Sequence, residues 1–227
     1  MQQTRIQGQR IQLRENENLS ELFEFYYGIL HVTVVYYDKN QKRTKERQEG
    51  YMQVLYKSTR GKGETVTASM AILKGLSEDG GLFVPTSIPK LDVPVEKLAQ
   101  MTYQETAYEV MSRFLTDFTE EELKNCIANA YDEKFDTTEI APLHEADGAY
   151  YLELFHGSTI AFKDMALSIL PHLMTTAARK NQVKNDIVIL TATSGDTGKA
   201  ALAGFADVPG TRIIEFYPKH GVSPIQE

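Results

Sequence analysis

The stretch DIVILTAT (186–193), SGDTG (194–198), KAALAGFA (199–206) and TRIIEFYP (211–218) constrains this chain most. It reads as an apolar strand, a glycine-bearing turn, a helix and a second strand. Short apolar runs bounded by turn residues are buried strands, and a strand–helix–strand order implies a parallel sheet with a right-handed crossover. Upstream, AYYLELF (149–155) reads as a further strand and DMALSILPHLMTTAARK (164–180) as a helix with Asp164 near its positive end. Pro171 predicts a kink or an early break in that helix. Ligands of parallel sheets sit beyond the C-terminal ends of the strands, where both HGSTIAFKD (156–164) and SGDTG would fall.

Before this alternation, residues 52–142 read as mostly helical with irregular loops. Thr67 to Gly75 resembles a short helix closed by glycine, and SEDGGLFVP (77–85) then breaks the pattern. Thr102–Glu105 and Thr119–Glu122 each match a capping box, in which side chains satisfy the free amides of a helix start. Ala107, Val110, Met111 and Phe114 follow helical spacing, as do Leu123, Ile127 and Ala130, and both stripes are read as core.

Residues 1–51 differ in composition: they contain no Ala and no Pro and carry a net charge of +1, against −8 for the rest. FEFYYGILHVTVVYY (23–37) is strand-prone. Gln48-Glu49-Gly50 can be encoded with the ribosome-binding sequence AGGAGG just before the Met52 codon. The expectation is therefore that Met52 is the natural start and that residues 1–51 are translated leader.

A net charge of −7 speaks against a general binder of nucleic-acid backbones. The apolar stretch from Leu22 to Tyr37 is too short to span a bilayer comfortably and contains Glu24 and His31. No basic-then-apolar export signal opens the chain. Cys126, the single cysteine, lies on the apolar side of the helix in LKNCIANAY and reads as a buried reduced thiol. A soluble protein of the cytoplasm is expected.

Two motifs carry chemistry. In SGDTGKAA the glycines let backbone approach a ligand, and the helix start offers amides to an anion. A P-loop is excluded, because Thr193 and Ala200 stand where Gly and Ser or Thr are required around Gly198-Lys199. In LFHGSTIAFKD (154–164), Lys163 falls after a strand and at a helix start, with Ile160, Ala161 and Phe162 as apolar surroundings. Burial and a helix N-terminus both help a lysine amine give up its proton. His156, His172 and His220 read as structural or exposed, and no spaced set of ligands supports a metal site.

Five motifs, in order, resemble the threonine synthase family. YKSTRG (56–61) and LSEDGGLFVP (76–85) are similar to its N-terminal signatures, and LFHGSTIAFKD to its cofactor-lysine motif. TATSGDTGKAA (191–201) and YPKHGVSPIQ (217–226) are similar to the loops that follow. Ser158 departs from the family, which ordinarily has proline there.

The resemblance implies an α/β fold of type II, tryptophan synthase β-like. A mostly helical N-terminal domain (52–142) would precede the start of a parallel-sheet βαβ domain that binds pyridoxal 5'-phosphate (143–227). The implied reaction converts O-phospho-L-homoserine and water to L-threonine and phosphate. Lys163 would hold the cofactor covalently and act as the base for the Cα proton. Ser194, Gly195, Asp196, Thr197 and Gly198 would form the loop beside the cofactor ring, with Asp196 shaping the loop. Arg60 would be the first partner for the substrate phosphate, with Lys57 and Lys219 as others and Ser158 and Thr159 close to the substrate.

The family's later loop for the cofactor phosphate, and its Ser or Thr at the pyridine nitrogen, have no counterpart before Glu227. The expectation is a fragment that turns over no substrate alone, with a missing C-terminal half that a separate gene could encode. Two alternatives stay open: a related lyase acting on another phosphorylated or sulfonated amino acid, and a non-catalytic product of a split gene.

Overall fold

The computed structural model describes residues 33–34, 53–193 and 195–223. All of residues 1–51 except Thr33 and Val34 lie outside them, as does Ser194.

Helix starts follow side-chain caps. Thr67 accepts from the Met70 amide to open α1 (Ala68–Lys74), and Gly75, at φ 65°, closes it by donating to the Ala71 carbonyl. Two short strands flank this helix, β2 (Tyr56–Ser58) and β3 (Phe83–Pro85), paired antiparallel. After the single turn α2 (Val95–Leu98), both expected capping boxes are formed. Thr102 and Glu105 open α3 (Tyr103–Phe114), and Thr119 and Glu122 open α4 (Glu120–Ala130). Leu123, Cys126, Ile127 and Ala130 are the buried face of α4.

A tight hairpin follows, β4 (Leu143–Ala146) and β5 (Ala149–Leu152). Asp147 (φ 51°) and Gly148 (φ 74°) supply the two left-handed residues that a two-residue hairpin turn requires. This corrects the expectation for AYYLELF. The strand exists but pairs back on β4, so the loop carrying Lys163 does not leave the end of a parallel-sheet strand.

The long helix expected over 164–180 is broken into α5 (Asp164–Leu167) and α6 (Leu170–Lys180). Pro171 is the second residue of α6, where a missing amide leaves no helical bond unmade. Then β6 (Ile187–Ala192), α7 (Asp196–Phe205) and β7 (Thr211–Phe216) form the expected crossover, with β6 and β7 parallel from Ile187↔Thr211 to Ala192↔Phe216. A two-residue strand, β1 (Thr33–Val34), lies antiparallel on the other edge of β6. The helix α7 begins at Asp196, so most of SGDTG is a first helical turn rather than the turn expected before it.

One apolar core joins these pieces. Leu123, Cys126, Ile127 and Ala130 of α4 share it with Leu173, Met174 and Ala177 of α6, Ile187 and Ile189 of β6, and Leu73 of α1. Cys126 is fully buried, its Sγ 3.5 Å from the Thr176 hydroxyl, and burial pushes its thiol pKa up. Leu123 is 1% exposed whereas Leu202 is 41% exposed. Leu123→Ala is therefore expected to cost about 3 kcal/mol in urea unfolding, by lost burial and the cavity left behind. Leu202→Ala should stay within about 0.5 kcal/mol.

Candidate functional site

The loop 156–164 is built around one buried carboxylate. Asp164 is 3% exposed. It accepts from the Thr159 amide at 2.8 Å and from the Thr159 hydroxyl at 2.6 Å. Gly157 packs directly on it: a Cβ at that position would lie 2.5 Å from both Cβ and Oδ2 of Asp164. Between them, Ile160 adopts φ 64° and donates its amide to the Gly157 carbonyl at 3.0 Å. A β-branched residue in the left-handed region costs about 1–2 kcal/mol, so the surrounding bonds must enforce it.

Lys163 caps α5, and its carbonyl accepts from the Ala166 and Leu167 amides. Its side chain turns back so that Nζ lies 4.4 Å from the centroid of the Phe162 ring. Phe162 and Ile160 are mostly exposed, so the apolar surroundings expected of them reduce to this one ring face. Ser158 is exposed and lines a cleft of about 220 Å³ with Asp132, Lys134, Asp164, His172 and Ala200. The Thr159 hydroxyl is committed to Asp164.

Residues 195–198 lie at the C-terminal end of β6. The Thr193 amide donates to the Phe216 carbonyl at 3.0 Å, and its hydroxyl accepts from the Gly195 amide at 3.3 Å. Asp196 and Thr197 start α7, which has no side-chain cap. A Cβ at Gly198 would fall 1.6 Å from Oε1 of Glu215 on β7 and 2.6 Å from Cγ2 of Thr193, so any side chain there requires these groups to move. Burial pushes the Glu215 carboxyl pKa up, and its Oε2 and the hydroxyl of its register neighbour Thr191 are buried without a hydrogen bond among the described residues. Packing of α5 on α7 links this loop to the Lys163 loop: the Leu167 carbonyl sits where a Cβ of Gly204 would be, 2.3 Å away.

Arg60 and Lys219 lie on separate exposed turns. The STRG and EDGG segments form one structure around Asp79, whose carboxylate accepts from the Ser58 hydroxyl at 2.6 Å and from the Gly81 and Lys62 amides. Those bonds, Ser58 first, hold its pKa down at about 2. Arg60 donates from Nη1 to the Asp79 carbonyl at 2.8 Å, and Lys57 pairs with Val84 in the strand. The sequence alone did not reveal the roles of Asp79, Asp164 and Glu215. The acidic residue before Gly80-Gly81 was the available signal for the first.

No group of three or more His, Cys, Asp or Glu among the described residues could hold a metal ion. No helix among them is long and apolar enough to cross a membrane.

Residues 55–131 match the family described as "Threonine synthase N terminus". Threonine synthase of Schizosaccharomyces pombe is 40% identical over 185 residues, which cover 77% of this chain and 36% of that protein. Among solved structures, pyridoxal-phosphate-bound threonine synthase from Brucella melitensis superposes with a TM-score of 0.68 at 34% identity. The yeast threonine synthase does so with 0.70 at 34%. Each structural match covers 76% of this chain and 37% of the other. The chain thus spans little more than a third of the length of these relatives, and it is similar in sequence and fold to the N-terminal portion of threonine synthases.

The Gly157–Asp164 contact is directly testable. Gly157→Ala is expected to destabilise the chain by about 1–3 kcal/mol through overpacking. Asp164→Ala should cost about 1–3 kcal/mol by stranding the Thr159 donors. Denaturant unfolding with tyrosine fluorescence measures both, and wild-type-like stability of either variant would contradict the described loop.

Proposed function

We propose that this chain is the N-terminal portion of a threonine synthase that works with pyridoxal 5'-phosphate, and that Lys163 is the residue holding the cofactor. The observation that carries the reading is the match to solved threonine synthases at 34% identity, one of them bound to pyridoxal phosphate. The fold would be of type II, with an N-terminal domain ending near residue 142 and a cofactor-binding domain beginning there. A cytoplasmic location is proposed with it.

The local chemistry fits such a group. A half-buried lysine stands on a loop fixed by Asp164, and α7, which begins at Asp196, packs near its far end, at Gly204, on the α5 helix that follows this loop. When bound, pyridoxal phosphate supplies the electron sink that makes Cα and Cβ proton loss feasible. The lysine Nζ would take the proton from Cα of O-phospho-L-homoserine and return protons as phosphate departs and water adds. Gly195, Thr197 and Gly198 would present backbone to the ring and the substrate carboxylate, together with Ser194. Asp196 would shape that loop, since its own carboxylate repels another. Arg60, oriented by the Asp79 carbonyl, would meet the leaving phosphate with its planar donors; Lys57 and Lys219 are further cationic candidates, with Ser158 and Thr159 on the substrate side.

Incubation with pyridoxal phosphate, borohydride reduction and peptide mapping test this reading. The reduced adduct is expected on Lys163 in preference to Lys199 and Lys219, and Lys163→Ala should abolish it. In a protein completed with the C-terminal portion of the fission-yeast enzyme, the same substitution should lower phosphate release from O-phospho-L-homoserine by roughly 100-fold or more. A label spread evenly over surface lysines would contradict the assignment.

A further inference from the structure

Both nitrogens of the His156 ring face a carboxylate. Nδ1 is 2.5 Å from Asp136 Oδ1 and Nε2 is 2.9 Å from Glu153 Oε2. A neutral imidazole has one N–H and one lone pair, so in that state one of these oxygens would face a lone pair. Only the imidazolium donates to both. The two acceptors come from different segments, Asp136 from the stretch after α4 and Glu153 from the stretch after β5. The Asp136 amide also donates to the His156 carbonyl at 3.0 Å, and the Phe155 ring packs against the imidazole at 4.6 Å.

The next residue is Gly157, which lies against Asp164, whose neighbour is Lys163. We propose that His156 is a positioning residue for Lys163: as a doubly donating imidazolium, it fastens the start of the lysine loop to Asp136 and Glu153. The loop is then held at two points, by His156 at its beginning and by Asp164 at its end. The identity of what Lys163 is held ready for rests on the function proposed above; the fastening itself does not.

The sign of the pH dependence follows. Hydrogen bonds to Glu153 and then to Asp136 raise the His156 pKa above its ordinary 6.5, and these two carboxylates are the charged groups acting on it. A raised histidine pKa gives a stabilisation that is complete below the unfolded value and is lost as pH rises through the folded one. The fastening is therefore intact below about pH 6.5 and weakens in the range above it. His172 provides an internal reference, because burial, followed by Lys134, shifts its pKa in the opposite direction.

An NMR titration of the 227-residue chain tests the proposal through the histidine ring nitrogens and the backbone amides. His156 is expected to titrate above 6.5, with both nitrogens protonated below its midpoint. The amides of Gly157, Thr159 and Lys163 should shift with that same midpoint. In Asp136→Asn combined with Glu153→Gln, the His156 midpoint should fall towards 6.5 while His172 still titrates below 6.5, which shows that the fold survives. His156→Lys, which keeps a permanently charged donor, should leave the loop amides independent of pH over this range. A His156 midpoint at or below 6.5 in the wild type, or loop amides that ignore its titration, would overturn the proposal. If the amides follow His156 but Lys163 takes up no pyridoxal phosphate, the fastening stands and the cofactor reading falls.

Discussion

The buried carboxylate of Asp164 is the constraint on which the candidate site depends. A polar group removed from water is costly unless donors meet it, and here the Thr159 amide and hydroxyl meet that need. Bringing those donors round requires the chain to turn tightly between residues 157 and 164. The turn places Ile160 in the left-handed region and leaves no space for a side chain at Gly157. Lys163, the residue before Asp164, is thereby held as the N-cap of α5. A residue with no reacting atom in the proposed chemistry thus fixes where the proposed cofactor lysine stands.

This local arrangement is tied to the core through short helices. The Leu167 carbonyl of α5 contacts Gly204 of α7, and Leu167 is buried with Ala200 and Ala201. Beyond the break at Ser168-Ile169, α6 is buried against α4, α1 and β6 in a single apolar cluster. The loop at the start of α7 and the loop bearing Lys163 are consequently held by the same packed body. Such coupling between a rigid scaffold and polar loops is what positions chemistry in a fold of this kind.

What could be read from the sequence was local in the chain. The caps at Thr102 and Thr119 involve partners three residues away, and both formed as expected. Pro171 announced the helix break, and the apolar runs at 187–192 and 211–216 announced a parallel pair. The features missed depend on partners distant in sequence or on turn residues that were passed over. Asp147-Gly148 is a strong hairpin signal in the sequence, and it is this turn that folds AYYLELF back on β4. Glycines at 195 and 198 masked the early start of α7, since Gly198 is small because Glu215 occupies the adjacent space. In the sequence His156 reads as structural or exposed, because its partners are 20 residues back at Asp136 and three back at Glu153, and their convergence appears only when the chain is folded.

The chain's own contacts at Asp164, Thr159 and Gly157 fix the Lys163 loop. Hydrogen exchange on the cofactor-free chain, resolved at single amides, tests this most directly. The Thr159 and Ile160 amides, bonded to Asp164 and to the Gly157 carbonyl, should exchange at least about tenfold more slowly than the same sequence in an unstructured peptide, a protection of roughly 1.4 kcal/mol or more. Exchange of both at the peptide rate would mean that the loop is not preformed, and would contradict its being fixed by Asp164.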